Sequence, residues 1–261
     1  MTDLHQDILS VMDSVNLVVD DYRPMLAQID HVCENLKQAG GGVLPAAAIE
    51  SQEFLKWLAD GHFTLMGYSE YELKGTKGNR VLSENPSKRL GIFGASNKIT
   101  EAVNVDDFNP GMSRFHLTPQ VLSFTKSAIR SKVHRNAYSD YVVVKRFDKK
   151  GQVDGECRFL GLYTSPVYTL SPTKIPVVRE KIQHVLDRSG IDDNSHDGKA
   201  LRQVLETFPR DELLQSNASE LYETALSVAS IQERHLVRLY MRADPYGKFL
   251  NCIVYVPRDN F

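Results

Sequence analysis

Strand-like and helix-like stretches come in separate blocks along this chain of 261 residues, with no strand–helix–strand rhythm. A doubly wound parallel sheet needs a crossover helix between neighbouring strands. Blocks of strands joined by tight turns point instead to an α+β fold with an antiparallel sheet. The clearest pair is Asp140 to Phe147 (DYVVVKRF) and Gln152 to Tyr163 (QVDGECRFLGLY), separated by the turn Asp148-Lys-Lys-Gly151. His62 to Leu73 is rich in aromatic and β-forming residues and reads as a strand. Leu90–Phe93, Gln120–Ser127 and Ser131–Arg135 read as shorter strands. Residues 75–88 (GTKGNRVLSENPSK) read as a polar loop, and Ile99–Phe115 as loop with a turn of helix.

The helical blocks lie at the start and in the second half. Leu4, Ile8, Val11 and Val15, then Tyr22, Met25, Ile29, Val32 and Leu36, recur at helical spacing. Pro24 kinks this run or opens a second helix capped by Asp20 or Asp21, and Gly40-Gly41-Gly42 stops it. The apolar stripe either packs on its own domain or serves as an arm that packs on another domain or subunit. Pro45 to Asp60 is a further helix with Gly61 past its end, anchored on the sheet by Trp57, the single tryptophan. Pro176–Ser189 is amphipathic, with Gly190 at its end. Ser195 or Asp197 caps a helix to Thr207. Pro209 begins a short helical turn, and Asn217 or Ser219 opens a helix to Arg234. His235–Arg242 and Phe249–Val256 form a hairpin around Asp244-Pro-Tyr-Gly247. A lone hairpin is marginal in water and has exposed edges. The final stretch therefore reads as the opening of a domain whose remainder is absent.

Composition narrows the function class. The formal net charge of −2 and pI near 6.5 lack the basic stripe of a nucleic-acid binder. No apolar run approaches the roughly 18 residues of a membrane span, and the N-terminus has no basic signal-peptide region. Cys33, Cys157 and Cys252 are too widely spaced for a disulfide framework or a metal knuckle, which fits a reducing cytoplasm.

No dinucleotide fingerprint occurs: Gly40–Gly42 follow a helix, and Gly91 and Gly94 lack a following helix. No P-loop, HExxH or GxSxG is present, and the eight histidines are scattered. His196-Asp197 reads more simply as a helix cap than as a ligand pair, and Cys157 as a core residue. Catalytic, cofactor and metal residues are therefore assigned to none. The best site candidate is KVHRNAYSDY (132–141), which gathers His134, Arg135, Tyr138 and Tyr141 beside a strand start, with Arg158 on the neighbouring strand. An arginine fork suits a carboxylate ligand. The structural alternative is that Arg135 pairs with Asp140 or Asp148 and the tyrosines pack. Arg210 with its neighbours, and Pro257-Arg258-Asp259, are interface or capping charges that the sequence does not decide between.

Several segments taken together resemble a known family. They are FLKWLADGHFTLMGYSEYEL (54–73), SKVHRNAYSDYVVVKRFD (131–148), GECRFLGLYTSPVY (155–168), SHDGKALRQVLETFPRDELLQ (195–215) and RLYMRADPYGKFLNCIVYVPRDNF (238–261). In this order they resemble the N-terminal regulatory region of the large bacterial NAD-specific glutamate dehydrogenases. The resemblance implies a helical lead-in over 1–42, a PAS-like α+β domain over 43–170, a helical linker over 171–234, and an incomplete ACT-like hairpin over 235–261. It implies a non-catalytic regulatory or assembly segment, with NAD used only by the parent enzyme. The implied partners are the parent's other domains and subunits in a homo-oligomer, plus an amino-acid effector, and neither nucleic acid nor membrane. The alternative is a PAS-like module that senses an amino acid or 2-oxo acid.

Overall fold

A computed structural model describes residues 2–38, 43–94, 102–108, 117–231 and 236–256. The helix-stopping glycines, much of 99–115, Arg234, His235 and the Pro257-Arg258-Asp259 charges lie outside the described residues. The chain divides into two compact units, Met1–Thr164 and Ser165–Phe261.

In the first unit, helices α1 (Thr2–Asp20), α2 (Tyr22–Lys37) and α3 (Pro45–Trp57) precede a curled antiparallel sheet. Its strands are β1 (Phe63–Thr76), β2 (Asn79–Glu84), β3 (Leu90–Gly91), β4 (Val103–Asn104), β5 (Leu122–Arg130), β6 (Tyr138–Phe147) and β7 (Val153–Tyr163). The spatial order is β4-β2-β1-β7-β6-β5, with β3 also on β1. The long β1 organises the sheet. β7 runs along its residues 63–72, while β3 takes 67–68 and β2 takes 71–76 on its other edge. The close approach of β3 requires glycine. Gly91 has φ +63°, and a Cβ there would sit 2.3 Å from the Met66 carbonyl oxygen.

One face of the sheet is apolar. Met25, Ile29, Val32 and Leu36 of α2 are buried at helical spacing, and α2 lies on β1 and β6. Phe54 of α3 packs edge-on against Phe124, with ring centroids 5.3 Å apart. Tyr68, Val142, Val144 and Phe159 are buried as well.

Several expectations change. The 75–88 stretch contains β2, because Val81 and Leu82 pair with β1 on one side and β4 on the other. Residues 131–135 are a turn rather than a strand: the Ser131 N–H bonds the Ala137 carbonyl, and His134 has φ +66°. The helix break falls at Asp21, and Pro24 sits inside the first turn of α2. Asp21 makes no side-chain cap there, and its carboxylate accepts from Gly91 N at 2.7 Å. Trp57 is half-buried and stacks on His62 at 4.3 Å, leaving Phe54 and Leu55 as the buried anchors of α3. The stripe on α1 is largely uncovered: Leu4, Ile8, Met12 and Val19 are all exposed, and Val18 is the only buried one among the described side chains of α1.

The second unit holds α4 (Ser165–Thr169), α5 (Val178–Ser189), α6 (His196–Thr207), α7 (Arg210–Gln215), α8 (Ala218–Ala229) and the hairpin β8 (Arg238–Ala243) with β9 (Leu250–Tyr255). Gly190, left-handed at φ +61°, ends α5. Ser195 Oγ caps α6 by accepting from Gly198 N. Asn217 and Glu220 form a capping box on α8, which ends at Ala229, short of the expected Arg234.

A buried amine ties these helices together. Lys181 Nζ donates to the carbonyls of Leu213, Leu214 and Ser216 at 3.0, 2.7 and 2.8 Å. These carbonyls lie at the C-terminal end of α7, where a helix lacks internal donors. Burial, aided by the Arg242 guanidinium, pushes the Lys181 amine down to about 7. Lys181→Met leaves those carbonyls without this donor and is expected to destabilise the unit by roughly 2–4 kcal/mol in urea unfolding followed by circular dichroism. A change under about 0.5 kcal/mol, within the range of neutral surface substitutions, would contradict that role.

Candidate functional site

The second face of the first unit's sheet is polar where a core is expected. Register decides which side chains share it, because directly opposed residues point the same way. One row runs Ser69–Arg158–Val143–Ser123. The next contains Tyr71, Glu156 and Lys145, and the row on the other side contains Gly67, Leu160, Tyr141 and Thr125. Glu84 of β2 lies opposite Tyr71. At the β2–β4 end the face closes with an apolar cluster of Tyr71, Leu82 and Val105, packed by Leu73, Phe108 and Leu117.

The charges on this face are paired and withdrawn from water. Lys145 Nζ meets Glu156 Oε2 at 2.8 Å, with side chains 2% and 1% exposed. Arg158 Nε donates to Glu156 Oε1 at 2.7 Å, and its guanidinium lies 3.8 Å over the Tyr71 ring. Arg89 and Glu84 form a second buried ion pair. Tyr141 stacks on Phe93, and burial pushes its hydroxyl up to about 12. Thr125 is buried, and its Oγ1 has no hydrogen-bond partner among the described residues. A buried charge is costly unless paired and hydrogen-bonded. Two cations thus share one carboxylate on this face.

Of the residues singled out from the sequence, Tyr141 and Arg158 come together on this face. His134 and Arg135 lie on the exposed 131–137 turn, where Arg135 Nη2 donates to the Tyr163 carbonyl at 3.0 Å. Tyr138 is exposed, with the Arg130 guanidinium 4.9 Å from its ring centre. Neither expected partner takes Arg135. Asp140 binds Lys126 Nζ at 2.6 Å, and Asp148 accepts from backbone N–H groups of its own turn. Lys145, Glu156, Tyr71, Glu84, Arg89 and Thr125 were missed. The signal for two of them was present: Lys145 shares parity with Val143, and the 148–151 turn sets it opposite Glu156.

Elsewhere, Ser195 rather than His196 caps α6, and the His196–Asp197 pair is exposed. Cys157 is buried with its thiol pushed up to about 12, and Cys33 is buried with its thiol at about 11, in each case chiefly by desolvation. That is the opposite of nucleophile activation. Among the described residues, no group of three or more His, Cys, Asp or Glu is placed to hold a metal. No helix there is long and apolar enough to cross a membrane.

Glu156→Leu strips Lys145 and Arg158 of their shared carboxylate. It is expected to destabilise the first unit by roughly 3–5 kcal/mol, the cost of breaking a buried pair from one side, read by Trp57 fluorescence in urea. A loss under about 1 kcal/mol, the range of exposed pairs, would show the network to be loosely held.

Comparison with known proteins gives a consistent picture. The family described as glutamate dehydrogenase, helical motif 1, matches residues 175–234. The glutamate dehydrogenase ACT2 domain matches residues 238–261. The chain is 40% identical over 265 residues to an NAD-specific glutamate dehydrogenase of Halomonas elongata, covering all of this chain and 16% of the relative. It is 40% identical over 258 residues to that of Pseudomonas aeruginosa, covering 98% and 16%. With that of Mycobacterium tuberculosis the identity is 26% over 262 residues, covering 96% and 14%. The chain thus spans about one-sixth of the length of the relatives it matches best among these. Matched from end to end in this way, the chain belongs to the NAD-specific glutamate dehydrogenase family, as a segment of its N-terminal region.

Proposed function

We propose that this segment is a non-catalytic regulatory and assembly part of a cytoplasmic NAD-dependent glutamate dehydrogenase. The parent's oxidative deamination of L-glutamate to 2-oxoglutarate is carried out in regions outside this chain. The observation that carries the reading is the β8–β9 hairpin. Its inner side is pinned: Arg242 Nε meets Glu212 Oε1 at 2.6 Å, Arg242 Nη2 reaches Gln215, and Asn251 bonds Glu212. Its outer side presents Leu239, Met241, Leu250 and Val254, each more than half exposed. An apolar face of this kind on a two-stranded sheet is unstable in isolation and suited to burial by the rest of an ACT-like module. The exposed apolar stripe of α1 supports the same reading as a contact arm for another domain or subunit, in a homo-oligomer. The PAS-like assignment of residues 43–170 and the helical-linker assignment of 171–234 belong to this proposal.

A second reading, small-molecule sensing of an amino acid or 2-oxo acid, is favoured by the polar face. Thr125 Oγ1 is an unused hydrogen-bonding group there, and the Arg158 guanidinium is the sort of planar fork that takes a carboxylate. In that reading Tyr141 and Arg158 contact the ligand, while His134, Arg135 and Tyr138 serve the rim or an interface.

Removing residues 1–190 from the full-length parent enzyme tests the first reading. The shortened enzyme is expected to retain NAD-dependent glutamate oxidation while losing its oligomeric form or its effector response, followed by light scattering and steady-state kinetics. Unchanged assembly and unchanged kinetics would refute it.

A further inference from the structure

The apolar side of the first unit's sheet contains an opening that is separate from the polar face. Where the C-terminal half of α2 passes over β1, β6 and β7, a cavity of about 300 Å³ remains. Arg146 and Glu70 line it from the sheet, with Asp154 at its edge and His31 and Asn35 on the helix side. Its charges are of both signs and incompletely satisfied. Arg146 Nη1 donates to Glu70 Oε2 at 3.2 Å, and Glu70 Oε1 accepts from Tyr68 Oη at 2.7 Å. Arg146 Nε stands 3.5 Å from Asp154 Oδ1, beyond the usual N–H···O range. Asp154 Oδ1 is buried without a hydrogen-bond partner. The Asp154 carboxylate and the Arg146 guanidinium thus meet only in a long ion pair at the wall of one cavity.

We propose that this cavity binds a free α-amino acid, its carboxylate on Arg146 and its ammonium on Asp154. The two charges of an α-amino acid sit on adjacent atoms, as the Arg146 and Asp154 charges sit on adjacent strands. The ligand replaces one loose contact with two charge-assisted ones. A simple anion meets the repulsion of Glu70, Asp148 and Asp154, and a simple amine meets that of Arg146 and Lys149, which also line the cavity. The zwitterion alone matches both, so selection acts against each half of the ligand. The ligand's side chain lies toward His31 and Asn35, which offer hydrogen-bonding groups on the helix side.

This site is separate from the polar face and does not rest on it. An NMR titration of the 261-residue chain with L-alanine, propionate and ethylamine tests it. Alanine is expected to shift the Asn35 side-chain amide and the Arg146 Nε–H saturably, while propionate and ethylamine bind at least about tenfold more weakly. Asp154→Asn, at a half-exposed side chain, is expected to keep the native spectrum and lose the preference for alanine over propionate. Arg146→Met is expected to abolish saturation. Three results would overturn the proposal: shifts that never saturate, propionate binding as tightly as alanine, or Asp154→Asn binding alanine like the unaltered chain. Saturable shifts at Thr125 and Tyr141 instead would overturn it and support sensing on the opposite face.

Discussion

The register between β6 and β7 governs the first unit. The Asp148–Gly151 turn sets Val144 opposite Cys157, and Lys145 therefore falls opposite Glu156. Side chains alternate between faces along a strand, so a one-residue slip of β6 would carry Val142 and Val144 to the polar side. It would also drive Lys145 into the apolar layer, away from Glu156. The buried ion pairs thus act against misregistration whatever their net effect on stability. The polar face and the cavity under α2 both inherit their positions from this register. Arg158 and Tyr141 fall on one side, and Arg146 and Cys157 on the other.

The second unit uses the same device at the junction between helices and hairpin. Glu212 accepts from Arg242 and Asn251, and Lys181 closes the end of the same short helix from the other direction. A six-residue helix such as α7 has little stability of its own. Its termini are held by charged groups from α5 and from the hairpin. This couples the part that matches helical motif 1 to the part that matches the ACT2 domain, through contacts lying wholly within one compact unit.

Much of the fold was legible in the sequence because local signals agreed with it. The blockwise strands, the DKKG turn, the caps at Ser195 and Asn217 and the glycine after α5 each follow from short-range chemistry. What escaped depended on pairing at a distance. Residues 79–84 look polar in isolation and become a strand because β1 and β4 flank them. Residues 131–135 lie between strand-like stretches, but the Ser131–Ala137 backbone bond turns the chain back. The candidate site was half legible for the same reason. Proximity in sequence grouped His134, Arg135 and Tyr138 with Tyr141, whereas the sheet groups Tyr141 with Arg158, Thr125 and Lys145 across strands.

The claim that most needs testing is that the hairpin's outer face is an internal surface of the parent enzyme. Hydrogen–deuterium exchange of residues 238–255, compared between this chain and the full-length glutamate dehydrogenase, addresses it directly. The account predicts fast exchange across β8 and β9 in the isolated chain and strong protection in the complete enzyme. Equal protection in both would mean that nothing in the parent covers this face, and would contradict the assembly role assigned to it.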